Sequence, residues 1–165
     1  MSGPHAGQPV LTAGRPASAA PAAVVLVHGR GADAEDILGL VPELDRPDLA
    51  YLAPEAAGRS WYPFRFLEPL DQNEPWLSSG LAVLGELLAG LSAAGIGADR
   101  TVLLGFSQGA CLALELAARA PPWRILALAA STARRCCSVA AIAIRTSRFH
   151  TCTRARGPWR RWGAR

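Results

Sequence analysis

Thr101-Val102-Leu103-Leu104-Gly105-Phe106-Ser107-Gln108-Gly109-Ala110-Cys111 decides the reading of this chain. A short apolar run leads into Gly-Phe-Ser-Gln-Gly, and a helix-forming run follows. This is a G-x-S-x-G pattern with a strand before it and a helix after it. In that setting a tight, strained turn thrusts the middle serine out at the sheet edge. Glycine fits on either side because a Cβ there would strike the neighbouring strand or helix. Ser107 is therefore the candidate nucleophile. A glycine-rich turn with an incidental serine is the plainer alternative, and the two correct flanks argue against it.

Outward from this turn, 165 residues, half of them hydrophobic, suffice for one domain with a sizeable core. No continuous apolar run reaches the ~18 residues of a membrane span. Residues 1–23 are rich in Gly, Pro and Ala, without a basic start or an apolar stretch of signal-peptide type, so a cytoplasmic location is expected. The four cysteines (Cys111, Cys136, Cys137 and Cys152) match no zinc spacing and are read as free thiols. Charge is unevenly placed. All 13 acidic residues lie at or before Glu115, and all 17 basic residues are Arg. Residues 1–123 carry −6 and residues 124–165 carry +10. Globular domains usually intersperse the two signs, so the chain divides at residue 123 into an ordinary segment and an Arg-rich one.

Taken in order, Gln8–Thr12 reads as an edge strand, since Pro9 fits only an edge or a strand start. Ala22–Val27 is a continuous apolar run, as in a strand buried on both faces of a parallel sheet. It ends in His28-Gly29-Arg30-Gly31, at the carboxyl end of a central strand, where α/β proteins place ligands. Residues 34–41 read as a helix with Asp33 as its N-cap and Glu35 and Asp36 in its first turn. Pro42 and Pro47 bound the next turn, and residues 49–53 form a strand. Residues 54–75 are a long irregular stretch with Trp61, Tyr62, Phe64 and Phe66, and such loops are often functional. Leu77, Leu81, Leu84, Leu88 and Leu91 recur at helical period, predicting a helix over 76–94. After the Ser107 turn a helix runs to about Arg119. Ile125–Ala130 and Ser138–Ile144 are candidate further strands. The alternation of strand and helix predicts a parallel sheet with right-handed crossovers. A sheet ending at Ile125–Ala130 would leave an open edge and poor solubility.

A serine hydroxyl needs a base within hydrogen-bond reach, and the tetrahedral intermediate needs N–H donors aimed at its oxyanion. In this turn geometry Gln108 N–H supplies one donor, and the loop after the first central strand supplies the other, here Arg30 N–H. Gly29 and Gly31 let that backbone approach a substrate. His28 has two readings, a base or a residue shaping the loop, and its place in His-Gly favours the second.

Four stretches in the right order carry a resemblance: residues 22–36 (AAVVLVHGRGADAED), residues 54–66 (PEAAGRSWYPFRF), residues 73–81 and residues 99–119. Together they resemble the phospholipase/carboxylesterase family of α/β-hydrolases, which includes acyl-protein thioesterases and small bacterial carboxylesterases. The resemblance implies a mostly parallel sheet with helices on both faces, here incomplete at its C-terminal side. It implies a Ser–Asp–His triad, no metal and no cofactor, and a lysophospholipase-like hydrolysis of carboxylic esters or thioesters, with the acyl chain in an apolar groove. Ser107 matches the nucleophile, Arg30 and Gln108 the oxyanion donors, and His28 the loop histidine. Trp61 and Tyr62 match a stretch beside the substrate groove.

The chain departs from that pattern after the helix. The triad order is serine, acid, histidine. Past Ser107 the single histidine is His150, 43 residues on, in a stretch unlike the family's histidine loop. Past Glu115 there is no Asp or Glu, and Glu115 itself lies two turns along the helix, away from where the acid belongs. A reading-frame change near Pro121–Arg124 accounts for the abrupt loss of acids, and a divergent C-terminus is the alternative. The competing functional reading is a non-enzyme whose tail binds nucleic acid or an anionic surface, because Arg154, Arg156, Arg160 and Arg161 interleave with Trp159 and Trp162.

Overall fold

The computed structural model describes residues 3–65, 68–119, 124–130 and 139–144. Six strands form one sheet: β1 Val10–Gly14, β2 Ala23–Val27, β3 Ala50–Pro54, β4 Thr101–Phe106, β5 Arg124–Ala130 and β6 Val139–Ile144. Their spatial order is β1-β3-β2-β4-β5-β6. The four inner strands run parallel, while β1 and β6 lie antiparallel at the two edges. The sheet is thus mixed, mostly parallel, with the crossovers confined to its centre. β6 pairs along β5, so the sheet continues past the edge that an end at Ile125–Ala130 would have left.

β2 is buried along its whole length, as its unbroken apolar run requires. Strand alternation sends Val25 and Val27 to one core and Val24 and Leu26 to the other. The first core is closed by α3 Trp76–Ala93 and α4 Gln108–Arg119. All five leucines of the predicted stripe, Leu77 to Leu91, are buried in it. By length and mean hydropathy (1.4) α3 would suffice to cross a membrane. Its buried stripe and the packing of Gly80 against Leu112 and Trp61 make it a core helix.

The second core is covered by α1 Ala34–Leu38, where Ala34 and Ile37 pack on Leu26, Tyr51 and Leu104. Asp33 caps α1 reciprocally with Asp36: Asp36 N–H donates to Asp33 at 2.9 Å, and Asp33 N–H to Asp36 at 3.2 Å. The helix expected over 34–41 ends at Leu38, with Gly39 as its C-cap. A short second helix, α2 Val41–Leu44, follows. Pro42 lies in the first turn of α2 instead of bounding a turn, a position that needs no proline N–H.

Candidate active site

β4 delivers the chain to Ser107, and α4 begins at the next residue. Ser107 has φ 51°, in the left-handed region, and its side chain is exposed. Its carbonyl accepts the N–H groups of Ala110 (3.1 Å) and Cys111 (3.2 Å), which starts the helix within one residue of the strand. Both flanking glycines are required by space. A Cβ on Gly105 would lie 2.6 Å from Ala110 Cα, and one on Gly109 would lie 2.5 Å from His28 O and collide with Val27 O. The start of α4 therefore rests directly on the end of β2. That contact brings the His28–Gly31 loop alongside the serine. A Cβ on Gly29 would lie 3.1 Å from the Phe106 ring and 3.5 Å from Ser107 Cβ.

His28 is fully buried beneath this loop. Ala56 N–H donates to its Nε2 at 3.1 Å, so Nδ1 carries the proton and donates to Gly29 O at 2.8 Å. Both ring nitrogens are thus engaged within the protein. Gly31 has φ +83° and donates its N–H to Arg59 O at 2.8 Å, with open space where a Cβ would stand. Among the described residues, neither Arg30 N–H nor Gln108 N–H donates to another residue in the loops and caps.

The stretch expected to be an irregular loop contains two 3-10 turns, Ala57–Arg59 and Leu70–Asn73, and is held by side-chain hydrogen bonds. Trp61 is fully buried, its indole N–H donating to His28 O at 2.9 Å. Its ring packs against Gly80 of α3 and stands 5.1 Å from the His28 ring. Tyr62 is buried too, its phenol beside Cys111, and burial pushes that phenol well above its ordinary pKa. Burial likewise raises the Cys111 thiol, against a hydrogen bond from Tyr62. Gln108 reaches into the loop, accepting Trp61 N–H at 2.9 Å and donating to Tyr62 O at 2.8 Å. The Arg30 guanidinium spans the carbonyls of Tyr62 (2.9 Å), Pro63 (2.7 Å) and Phe64 (2.6 Å). Asn73 accepts Phe64 N–H at 2.9 Å.

His5 was not singled out in the sequence. It is buried between Trp61 and Trp76, accepts Ala57 N–H on Nδ1 (3.0 Å), and donates from Nε2 to Trp61 O (2.9 Å). Burial holds its pKa below the ordinary 6.5, against the hydrogen bond to Trp61, and His28 adds to the lowering. A lone histidine in a Gly/Pro-rich segment carries no periodic signal by which to find it. The side-chain roles of Arg30 and Gln108 carry no local signal either, since each acts on backbone far away in the chain, and Asn73 holds Phe64 and Arg65 across an aperiodic loop.

Glu115 pairs with Arg119 at 2.7 Å and faces a cavity of about 50 Å³ with Tyr62, Leu70, Cys111 and Leu112. A larger cavity, about 380 Å³, lies between the N-terminal segment, β3 and α3, lined by Val10, Leu52, Val83, Leu87 and Leu91, away from the serine turn in the chain. Among the described residues no three His, Cys, Asp or Glu side chains cluster as metal ligands. His150, Cys136, Cys137, Cys152 and the Arg/Trp tail lie outside the described residues.

A strand-turn-helix with a left-handed serine, resting on a glycine loop from the neighbouring strand, matches a known pattern over most of the chain. The sequence pattern of phospholipase/carboxylesterase proteins fits residues 12–141. The chain belongs to the phospholipase/carboxylesterase family. This places it among the α/β-hydrolases. The match runs through β5 and into β6, beyond residue 120, where the resemblance carried by short motifs ended. A crystal structure of a phospholipase/carboxylesterase from Dyadobacter fermentans is 44% identical, with TM-score 0.69, covering 72% of this chain and 58% of its own. The crystal structure of esterase PE8 is 31% identical, with TM-score 0.56, covering 74% and 64%. NocK of Nocardia uniformis subsp. tsuyamanensis, named as an esterase, is 33% identical over 125 residues, 71% of this chain. This family member thus spans 58% and 64% of the two solved chains and 33% of NocK.

Proposed function

We propose that this chain carries the nucleophile and oxyanion half of a serine carboxylesterase or thioesterase and is catalytically impaired. The observation that carries the reading is the left-handed Ser107 at φ 51°, exposed at the end of β4 and abutting Gly29. In this reading Ser107 Oγ attacks the acyl carbonyl carbon, and Arg30 N–H and Gln108 N–H hold the resulting oxyanion. The alcohol or thiol leaves, and water releases the acid from the acyl-enzyme. Gly29 and Gly31 keep the approach open, while His28, Trp61 and Tyr62 act from beneath by fixing the loops around a small acyl substrate. The expected location remains cytoplasmic.

Proton transfer is the weak point. The Ser–His–acid arrangement works as a unit, and losing a member costs about 10⁴–10⁶ in kcat while leaving roughly 10³–10⁴ over water. No acid follows Glu115, and His150 is the single histidine past the serine. A fluorophosphonate probe tests both halves of the proposal. Slow labelling that disappears in Ser107→Ala is the expected result. Labelling that persists in Ser107→Ala would remove Ser107 as nucleophile. Rapid stoichiometric labelling, lost in Ser107→Ala, would remove the impairment.

A further inference from the structure

The two amides read as oxyanion donors belong to loops that leave the sheet separately. Arg30 follows β2 and Gln108 follows β4, and the last residues paired between those strands are Val27 and Gly105. Beyond that pair no ladder bond fixes one loop against the other. The Arg30 loop is also soft by composition, with glycine on both sides. Yet the side chains of these same two residues converge on one atom. Tyr62 O accepts Gln108 Nε2–H at 2.8 Å and Arg30 Nη2–H at 2.9 Å. Gln108 also holds Trp61 N–H, and Arg30 also holds Pro63 O and Phe64 O.

We infer that Arg30 and Gln108 are positioning residues whose side chains, bridged by the Tyr62 carbonyl, set the spacing of their own backbone N–H donors. The inference rests on the oxyanion reading given above. Each residue then has two separable roles: its main chain meets the substrate oxygen, and its side chain locates that main chain. Arginine suits the part because its planar fork offers five N–H donors in fixed directions, so three carbonyls are held at once. A lysine ammonium on a flexible stem does not reproduce that span. The buried Trp61 beneath makes the bridge stiff, since its indole N–H is fixed on His28 O. Displacing either side chain leaves both N–H groups present but free to drift, and misplaced donors stabilise a developing charge poorly.

The test uses the full chain and a neutral fluorophosphonate, with the variants Arg30→Leu, Gln108→Leu, the double variant, and Asn73→Ala. Asn73→Ala frees the same loop at Phe64 N–H and Arg65 O and leaves both donors to the Tyr62 carbonyl in place. Arg30→Leu is expected to lower kinact about ten-fold at unchanged KI, less than the 10²–10³ that follows outright loss of a donor. The double variant should fall no further than the worse single one, because both act through one carbonyl. Asn73→Ala should leave kinact within about two-fold of the parent. Additive losses, an unchanged kinact in Arg30→Leu, or an equal loss in Asn73→Ala would each overturn the inference. Amide hydrogen exchange at Trp61, whose acceptor is Gln108, supplies a readout independent of chemistry. It should speed up about ten-fold or more in Arg30→Leu, and unchanged exchange overturns the bridge whether or not Ser107 reacts. Absence of any Ser107 labelling in the parent counts against the proposed nucleophile alone.

Discussion

At φ 51° Ser107 sits where a Cβ crowds the backbone, at a cost of roughly 1–2 kcal/mol. Ser107→Gly removes that crowding but gives the unfolded chain extra freedom worth about 0.4–1 kcal/mol. Relief of the crowding outweighs that freedom, so Ser107→Gly should be more stable than Ser107→Ala by about 0.5–1 kcal/mol in urea unfolding. Ser107→Gly less stable than Ser107→Ala by about 0.4–1 kcal/mol would show that the turn stores no strain. His5 makes a second residue-scale prediction. Its folded pKa lies below the ordinary 6.5 chiefly through burial, so the unfolded chain binds the extra proton more readily. The His5 contribution is present in full above about pH 6.5 and is lost as pH falls from there toward the folded value. Protonation also gives Nδ1 a hydrogen facing Ala57 N–H, which breaks the tie between the N-terminal segment and the 57–61 turn. The neighbouring His28 ring adds to the lowering of His5. The slope of stability between about pH 7 and pH 5 should therefore flatten in His5→Gln, and an unchanged slope would assign the effect elsewhere.

At the scale of elements, the Ser107 turn works by contact between β2, β4 and α4. Gly109 touches the carbonyls of Val27 and His28, and Gly105 touches the first turn of α4. These neighbours are backbone, which cannot rotate away as a side chain would. Gly109→Ala should therefore cost at least about 3 kcal/mol, the upper end for overpacking, read as loss of cooperative unfolding or a large drop in urea midpoint. Gly31→Ala meets open space and carries only the left-handed backbone cost, so it should lose about 1–2 kcal/mol. These elements were legible because their signals are local. The β2 run, the leucine stripe of α3 and the glycines around Ser107 each declare burial or close approach within a few residues. Three features lacked such a signal. The break of α1 at Leu38 depended on Pro42 entering a helix start, which the same proline permits or forbids according to its neighbours. The antiparallel direction of β6 is set by pairing with β5, not by its own pattern. In the stretch 54–65, Trp61 and Tyr62 carry no period, so the sequence could not reveal that both are buried under the loop. For the candidate site, backbone roles of Ser107, Gly29 and Gly31 follow from residue type, whereas the hold of Arg30, Gln108 and His5 on distant carbonyls and amides exists only in the folded chain.

The whole molecule combines an α/β-hydrolase sheet with an opposite distribution of charge, −6 over residues 1–123 and +10 over residues 124–165. Two of its strands, β5 and β6, come from the basic segment, and the family match runs to residue 141. A tail selected to bind nucleic acid would neutralise phosphates with its arginines. Binding to a single-stranded oligonucleotide would then weaken steeply between about 50 and 200 mM salt and vanish on deleting residues 145–165. A changed reading frame requires no such binding and accounts for acids ceasing at Glu115, but a family match that runs to residue 141 means that a change near Pro121–Arg124 has to be tested against a divergent terminus. We expect no salt-dependent binding, and we expect the nucleotide sequence across codons 115–145 to contain, in a second frame, an Asp-bearing segment followed by a histidine loop. Protein made from that frame should label with the fluorophosphonate about 10⁴-fold faster than this chain, the loss typical of a broken Ser–His–acid unit. A second frame interrupted by stop codons, or a restored protein no faster than the present chain, would leave residues 124–165 as a genuine divergent terminus.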